Sequence, residues 1–312
     1  MTALLRRWRW IAAFLFVALA MLATKAWHDT LAEPRVRRLT IAVPGLPRPV
    51  TAAVLADIHV AGPDMPPSRL ERIVAQVNAL GPDIVLIAGD LVSEKRVATH
   101  GFTASEIVVP LAALDAPLGT VAVPCNHDHW FDWPALEREL HQAGIRTLQN
   151  EATQIGPLAL GGVDDAFTRR DDLPLVLQRM APLRGGRLIL THSPDIFPQV
   201  PGTVPLVLAG HTHCGQIRLP LVGALATMSQ YGARFACGVT RESGRTIVTG
   251  AGLGTSLLPV RFGTRPEIWL VTMVPRRTGR FGLSYTPPAR TREAQFFPIV
   301  GSPLRARRKF LS

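Results

Sequence analysis

A chain of 312 residues and 33.9 kDa, 47% hydrophobic, is long enough for one large domain or two modest ones and excludes a wholly disordered polymer. Its net charge of +11 sits in the ends: residues 1–50 carry 8 basic and 2 acidic side chains and residues 275–312 carry 9 and 1, leaving 17 against 20 in between. A mildly acidic body with basic ends suits a membrane surface and argues against a nucleic-acid reader. In chain order, Arg6, Arg7 and Arg9 first precede an uncharged apolar run from Trp10 to Thr24, closed by Lys25, Ala26 and Trp27. The run is short against the roughly 17–25 residues that span hydrocarbon, but Lys25 can snorkel and Trp8, Trp10 and Trp27 suit the two interfaces. The expectation is an uncleaved single-pass anchor with its linker over 1–36, the N-terminus in the cytoplasm and the domain outside it. A cleaved export signal ending near Thr24-Lys25-Ala26, a twin-arginine signal at Arg6-Arg7 and a buried soluble helix are the alternatives.

The body alternates strand and helix signals. Strands are expected at Val50–Ala56, Ile84–Ala88, Thr120–Val123, Leu158–Leu160, Arg187–Leu190, Val204–Leu208, Thr246–Thr249 and Glu267–Val274. Helical spacing covers Pro66–Leu80, with a Gly81-Pro82 stop, then Thr103–Leu114 and Trp133–Ala143. The pattern is α/β, with more late strands than a simple βα alternation gives. After Met273 a tail rich in Pro and Arg cannot form a packed core; it is either solvated or docks on anionic lipid.

Polar residues fall at informative places. Asp57, Asp90, Asn126, His192 and His211 each come just past an apolar strand, where open α/β sheets form their ligand crevice. Five such residues, all Asp, Asn or His, point to a metal site built from strand ends. Residues two apart share a face of a strand, so Asp57 with His59 and His211 with His213 are each expected to act as a pair. Carboxylates mixed with imidazoles suit Mn, Fe or Zn rather than Ca. So many donors exceed one ion but fit two that share a carboxylate, the device that catalyses in-line displacement at phosphorus.

Asp57-Ile-His59, Gly89-Asp90, Asn126-His127-Asp128, His192 and Gly210-His211-Thr212-His213, in that order, resemble the ordered signature of the calcineurin-like metallophosphoesterases over about residues 38–274. GHTHxGQIRLP-like and RFGTRPEIWLV segments resemble the bacterial branch that carries an N-terminal anchor or export signal. The resemblance implies a four-layer sandwich of two mixed β-sheets flanked by helices, occupying 37–274 between the anchor and the basic tail 275–312. It implies two divalent ions (Mn, Fe or Zn), with Asp57, His59 and His213 on one, Asn126, His192 and His211 on the other, and Asp90 bridging. It implies that His127 assists the leaving group, that Asp128 orients His127, and that a metal-bound hydroxide attacks the phosphomonoester or phosphodiester. A lipid-linked or membrane-proximal substrate at the bacterial inner membrane follows from the anchor. The alternatives are a UDP-2,3-diacylglucosamine-type pyrophosphate hydrolase at the cytoplasmic face and a non-catalytic metal-binding scaffold.

Two positions depart from that signature: Cys125 and Cys214 stand where the family usually has Gly. They either fill space as small side chains, pair with each other outside the cytoplasm, or offer a thiolate to metal, and Cys237 is left without a partner. Gly250-Ala-Gly252-Leu-Gly254 reads as a backbone turn near the site, since no Lys-Ser/Thr follows it. Arg261 and Arg265 are either phosphate grips or surface residues. Asp164 and Asp165 read as turn residues, and His129 is given no role.

Overall fold

The computed structural model describes residues 2–276 except residue 96. The expected basic tail, with its lipid-docking reading, lies almost wholly outside the described residues. The chain opens on α1 (Thr2–Leu31), 30 residues, or about 45 Å at the helical rise of ~1.5 Å per residue. Residues Leu5–Leu31 are long and apolar enough to cross a membrane, and the apolar stretch within them is not buried in the protein, whereas Asp29 and Thr30 at the helix end are. The helix therefore extends well past the apolar run, because neither Lys25 nor Asp29 breaks a helix: the two pair at 2.5 Å, one turn apart.

The domain follows with β1 (Arg35–Val43), β2 (Val50–Leu55), α2 (Pro67–Ala79), β3 (Ile84–Ile87), α3 (Ala104–Val108), β4 (Thr120–Ala122), α4 (Asn126–Phe131), α5 (Trp133–Gln142) and β5 (Arg146–Thr147). The second half holds β6 (Glu151–Ile155), β7 (Leu158–Val163), α6 (Leu173–Met180), β8 (Gly186–Thr191), β9 (Leu206–Ala209), β10 (Arg218–Leu219), β11 (Gly223–Ala224), β12 (Gly238–Glu242), β13 (Arg245–Thr249) and β14 (Glu267–Pro275). Two six-stranded mixed sheets result, ordered β1-β14-β2-β3-β4-β5 and β12-β13-β9-β8-β7-β6. The late strands thus divide: β14 returns to the first sheet, antiparallel to β2, while β12 and β13 complete the second.

Three apolar layers make four structural ones. Leu86 and Ile84 of β3 face the second sheet, against Leu160, Leu188 and Leu208, whereas Val85 and Ile87 face Leu70, Ile73 and Leu136 of α2 and α5. That is the two-residue strand period with both faces covered, which explains why these strands read as unbroken apolar runs. On the far side Val176 and Met180 of α6 cover Ile189 and Val207. Each fully buried Leu or Ile contributes about 1.5–3 kcal/mol. The helix expected over Thr103–Leu114 is shorter: Thr103 and Glu106 form a capping box, and the α-helix gives way to a 3₁₀ turn at Val109–Ala113 because Pro110 has no amide hydrogen to donate. β1, β6 and α6 were not signalled by periodicity; β1 is an arginine-rich edge strand ordered by its parallel pairing with β14.

Candidate metal centre

Asp57 and His59 follow β2, Asp90 follows β3, Asn126 opens α4, His192 follows β8, and His211 and His213 follow β9. The pairs meet, but not through strand alternation. Asp57 (φ 49°), His59 (49°), Asp90 (56°), His211 (72°) and His213 (49°) all adopt left-handed backbone beyond the strands, a costly region for non-glycine residues that concentrates at functional sites. Neighbouring ligand loops hold one another there: Asp57 N–H donates to Gly89 O at 3.1 Å and His59 N–H to Asp90 O at 2.9 Å. The glycine-rich turn lies on Asp57 as expected, with Gly254 N–H donating to Asp57 O at 2.8 Å. Gly252, at φ +74°, admits no side chain, since a Cβ would fall 2.5 Å from Asp57 Cβ.

The side chains converge. Asp90 Oδ2 lies 3.1 Å from His192 Nε2 and 3.3 Å from His59 Nε2. Asp57 Oδ1 is 3.4 Å from His213 Nε2 and 4.0 Å from His192 Nε2. His59 and His213 approach Nε2 to Nε2 at 3.1 Å, and His211 Nδ1 sits 3.1 Å from His192 Nε2. Carbonyl oxygens fix the rings from behind: His59 Nδ1–H donates to Val92 O at 3.0 Å, His192 Nδ1–H to Ala88 O at 2.7 Å, and His211 Nε2–H to Met228 O at 3.0 Å. Outer partners of this kind set tautomer and aim.

The donor set fits two cations. His59, its one neutral-ring hydrogen committed to Val92, turns a bare lone pair toward the cluster. Asn126 Oδ1 is buried with no hydrogen-bond partner, an arrangement that costs free energy unless something electropositive meets it. Burial alone would lower His192, yet Asp90 and Asp57 push it up to about 10, so the position between the carboxylates favours positive charge. Burial raises Asp57 to about 6 against the pull of His192. Asp57, His59, Asp90 and His213 form one grouping of compatible donors, and Asp90 recurs in a second with His192 and Cys125. Asp90 is the one carboxylate common to both groupings.

The calcineurin-like phosphoesterase family matches residues 50–215, a stretch that holds every one of these donors. The chain belongs to that family. It is 32% identical over 199 residues to the metallophosphoesterase YkuE of Bacillus subtilis, covering 61% of this chain and 68% of that one. It is 32% identical over 237 residues to the phosphodiesterase YaeI of Escherichia coli, covering 72% and 83%. It is 30% identical over 276 residues to a transmembrane protein with a metallophosphoesterase domain from Danio rerio, covering 80% and 59%. Calcineurin-like phosphoesterases use two divalent metals, and the Asp and His grouping of this one suits them.

The phosphoesterase's site opens into a cleft of about 280 Å³ walled by Trp130, Phe167, Met228, Leu257 and Leu258, with Asp90, Asn126, His127 and His211 at its floor. His127 stands edge-on to His59 and to Trp130, ring centroids 5.0 Å apart in each case. Burial pushes it down to about 4. Asp128 does not orient it. That carboxylate instead accepts the amides of Asp90, Leu91 and Val92 at 3.1, 2.9 and 3.2 Å, because α4 turns it inward beneath the loop after β3. Asp128 thus positions Asp90, and the acid facing His127 Nδ1 is Glu94, at 3.5 Å. Sequence reading missed Glu94, an ordinary acidic residue in a loop.

The cysteines require a correction. Cys214 is bonded to Cys237, so Cys237 has a partner and Cys125 does not. Cys125 is buried, a filler as in the simplest expectation, and its thiol donates to Asp128 Oδ2 at 2.9 Å and also to Asp90. Burial and the two carboxylates push that thiol well up, which opposes a thiolate ligand. Arg261 is not a surface residue: it is fully buried, with Nη2 3.4 Å from His213 Nδ1. Arg265 faces the end of α1, with Nε 3.5 Å from Asp29 Oδ1. Asp165 closes a turn on the Phe167 and Thr168 amides, and Asp164 meets His129 at 2.7 Å.

Proposed function

We propose that this chain is a membrane-anchored phosphoesterase in which Asp57, His59 and His213 hold one ion, Asn126, His192 and His211 hold the other, and Asp90 bridges them. The observation that carries the reading is Asp90, within 3.3 Å of His59 on one side and 3.1 Å of His192 on the other, with the orphaned Asn126 Oδ1 alongside. Two ions there would polarise the phosphoryl oxygens and lower the pKa of attacking water. The chain's own residues do the rest. His127, on the cleft floor, meets the leaving oxygen. Its depressed pKa makes it a ready proton donor once the substrate's negative charge holds a proton on it, and Glu94 beside Nδ1 shares that charge. Arg261, buried behind His213, keeps that ring's approach fixed.

The substrate is a lipid-linked or membrane-proximal phosphate ester, with a diester favoured by the name of the E. coli relative. Apolar cleft walls and an apolar first helix support this. The division into anchor, phosphoesterase domain and basic tail belongs to the same proposal, as does the placement of the domain outside the cytoplasm of a bacterial inner membrane. Three arginines before the apolar run and the Cys214–Cys237 disulfide, a bond characteristic of oxidising compartments, both support that side. They argue against a cytoplasmic pyrophosphate hydrolase. The test is hydrolysis of bis-p-nitrophenyl phosphate with Mn²⁺ by the full chain, beside Asp90→Ala and His127→Ala. Turnover by the wild type alone is expected; an inert wild type that still binds Mn²⁺ would leave only the scaffold reading.

A further inference from the structure

Beside the cleft lies apolar surface that the chemistry does not use. The disulfide between Cys214 and Cys237 closes a loop in which no charged residue occurs between Arg218 and Arg234. The short β10–β11 pair projects its tip, where Leu221 is fully exposed and Val222 is 69% exposed. Leu257 and Leu258, 65% and 49% exposed, are tied to the start of the same loop: the Gln216 side chain donates to Leu258 O at 2.9 Å and to Val260 O at 3.0 Å. Exposed apolar clusters of this kind mark interaction surfaces.

This surface is continuous with the end of α1. Arg218 N–H donates to Phe262 O at 2.7 Å. The segment around Phe262 then grips the helix: Arg261 N–H donates to Thr30 Oγ1 at 2.6 Å, Gly263 N–H to Asp29 Oδ2 at 3.2 Å, and Lys25 Nζ sits 5.0 Å from the Phe262 ring. Arg69 donates to Thr30 O at 2.9 Å from the other side. Lys25 and Arg218 line one polar pocket between helix and loop. The helix end cannot swing freely away from the loop, so whatever layer holds the helix lies close to the tip.

We propose that the tip at Leu221 and Val222, with Leu257 and Leu258, is a second membrane contact that enters the interface of the leaflet holding the anchor, so that the cleft opens onto lipid. Lys25 and Arg218 then stand at the depth of anionic headgroups. A phosphate ester carried on a lipid reaches the metal centre without leaving the bilayer surface. The inference rests on the anchored reading of α1 and deepens the substrate class, but its physical test does not depend on turnover.

That test uses the full chain in vesicles of phosphatidylethanolamine and phosphatidylglycerol, carrying Leu221→Cys labelled with an environment-sensitive nitrobenzoxadiazole. Cys125 is buried and the other cysteines are bonded, so the label goes to the new thiol. Arg184→Cys, in the loop that enters β8 from the end opposite His192, is the control. Blue-shifted emission at 221 and several-fold stronger quenching by nitroxide lipid than at 184 are expected. Equal, water-like emission at both sites in chain that co-floats with vesicles overturns the second contact alone. Failure to co-float removes the anchor and this inference with it. A Leu221→Asp, Val222→Asp double variant should keep its rate on bis-p-nitrophenyl phosphate and lose rate several-fold on a vesicle-borne lipid phosphodiester; equal rates on both also overturn the proposal. An inert wild type on the soluble ester sinks the phosphoesterase reading and leaves the label result standing.

Discussion

The floor and the rim of the cleft are built on opposite principles. Just beneath the floor, Asp57, His59 and His192 are fully buried, and the group is aimed by backbone carbonyls and by hydrogen bonds between adjacent strand-end loops. On the rim, Leu221 and Leu257 are exposed, regular structure is limited to two-residue strands, and a disulfide supplies the order that a sheet would otherwise give. The difference separates precision from adaptability. Ion coordination tolerates little displacement, and these donors sit at or just past the ends of elements in two packed six-stranded sheets. The lipid contact proposed for the tip would need apolar area more than geometry.

If that division is right, damage to each region should stay within it. The largest effect belongs to Asp90→Ala, which removes the shared carboxylate. A fall of roughly 10⁴-fold or more in kcat/KM is expected together with loss of bound metal by elemental analysis. Retained stoichiometric metal would mean that Asp90 does not bridge. Next, His127→Ala should lower kcat by about 10²–10⁴-fold with metal content and KM little changed. Metal loss in that variant would move His127 into the coordination set.

Cys237→Ser tests the rim. Opening a 23-residue separation should cost roughly 3 kcal/mol in denaturant unfolding if the closed loop acts mainly on the unfolded chain. Limited proteolysis should begin within 215–236 while metal content holds. Simultaneous loss of metal would show that floor and rim are one unit, through the contact of Cys214 with His213 in sequence. The smallest effect is a pH dependence of metal affinity. Asp57 is pushed up to about 6 by burial, so above that pH its carboxylate is free and below it an ion must displace a proton. His192, pushed up to about 10, must also lose its proton, so apparent affinity should decline as pH falls and decline more steeply, by about a further tenfold per pH unit, below pH 6, read by Mn²⁺ titration. An unchanged slope between pH 7 and pH 5 would exclude Asp57 as a ligand.

Residue types and spacing carried the floor of the site but not the reasons for it. Asp57 with His59, and His211 with His213, were expected to pair by strand alternation; they pair because left-handed backbone past each strand turns both toward the cluster. Asp128 was placed in the right motif and given the wrong partner, since the inward turn of α4 is a tertiary fact. Glu94 and the partner of Cys214 carried no local signal. An acid in a loop resembles any other, and three cysteines allow any pairing. Arg261 reads as a surface residue in any window of sequence, and only the packing of its loop against His213 and the end of α1 buries it.

By itself the sequence determined the alternation of strand and helix, the apolar first helix and which Asp, Asn and His side chains follow the strands. Each of these is written in local periodicity or in donor chemistry. Tertiary structure alone decided which carboxylate reaches both His59 and His192, which cysteines join, and that an uncharged loop stands beside the end of α1. Those outcomes depend on distances between residues far apart in the chain, set by how two sheets pack and not by any neighbour in sequence.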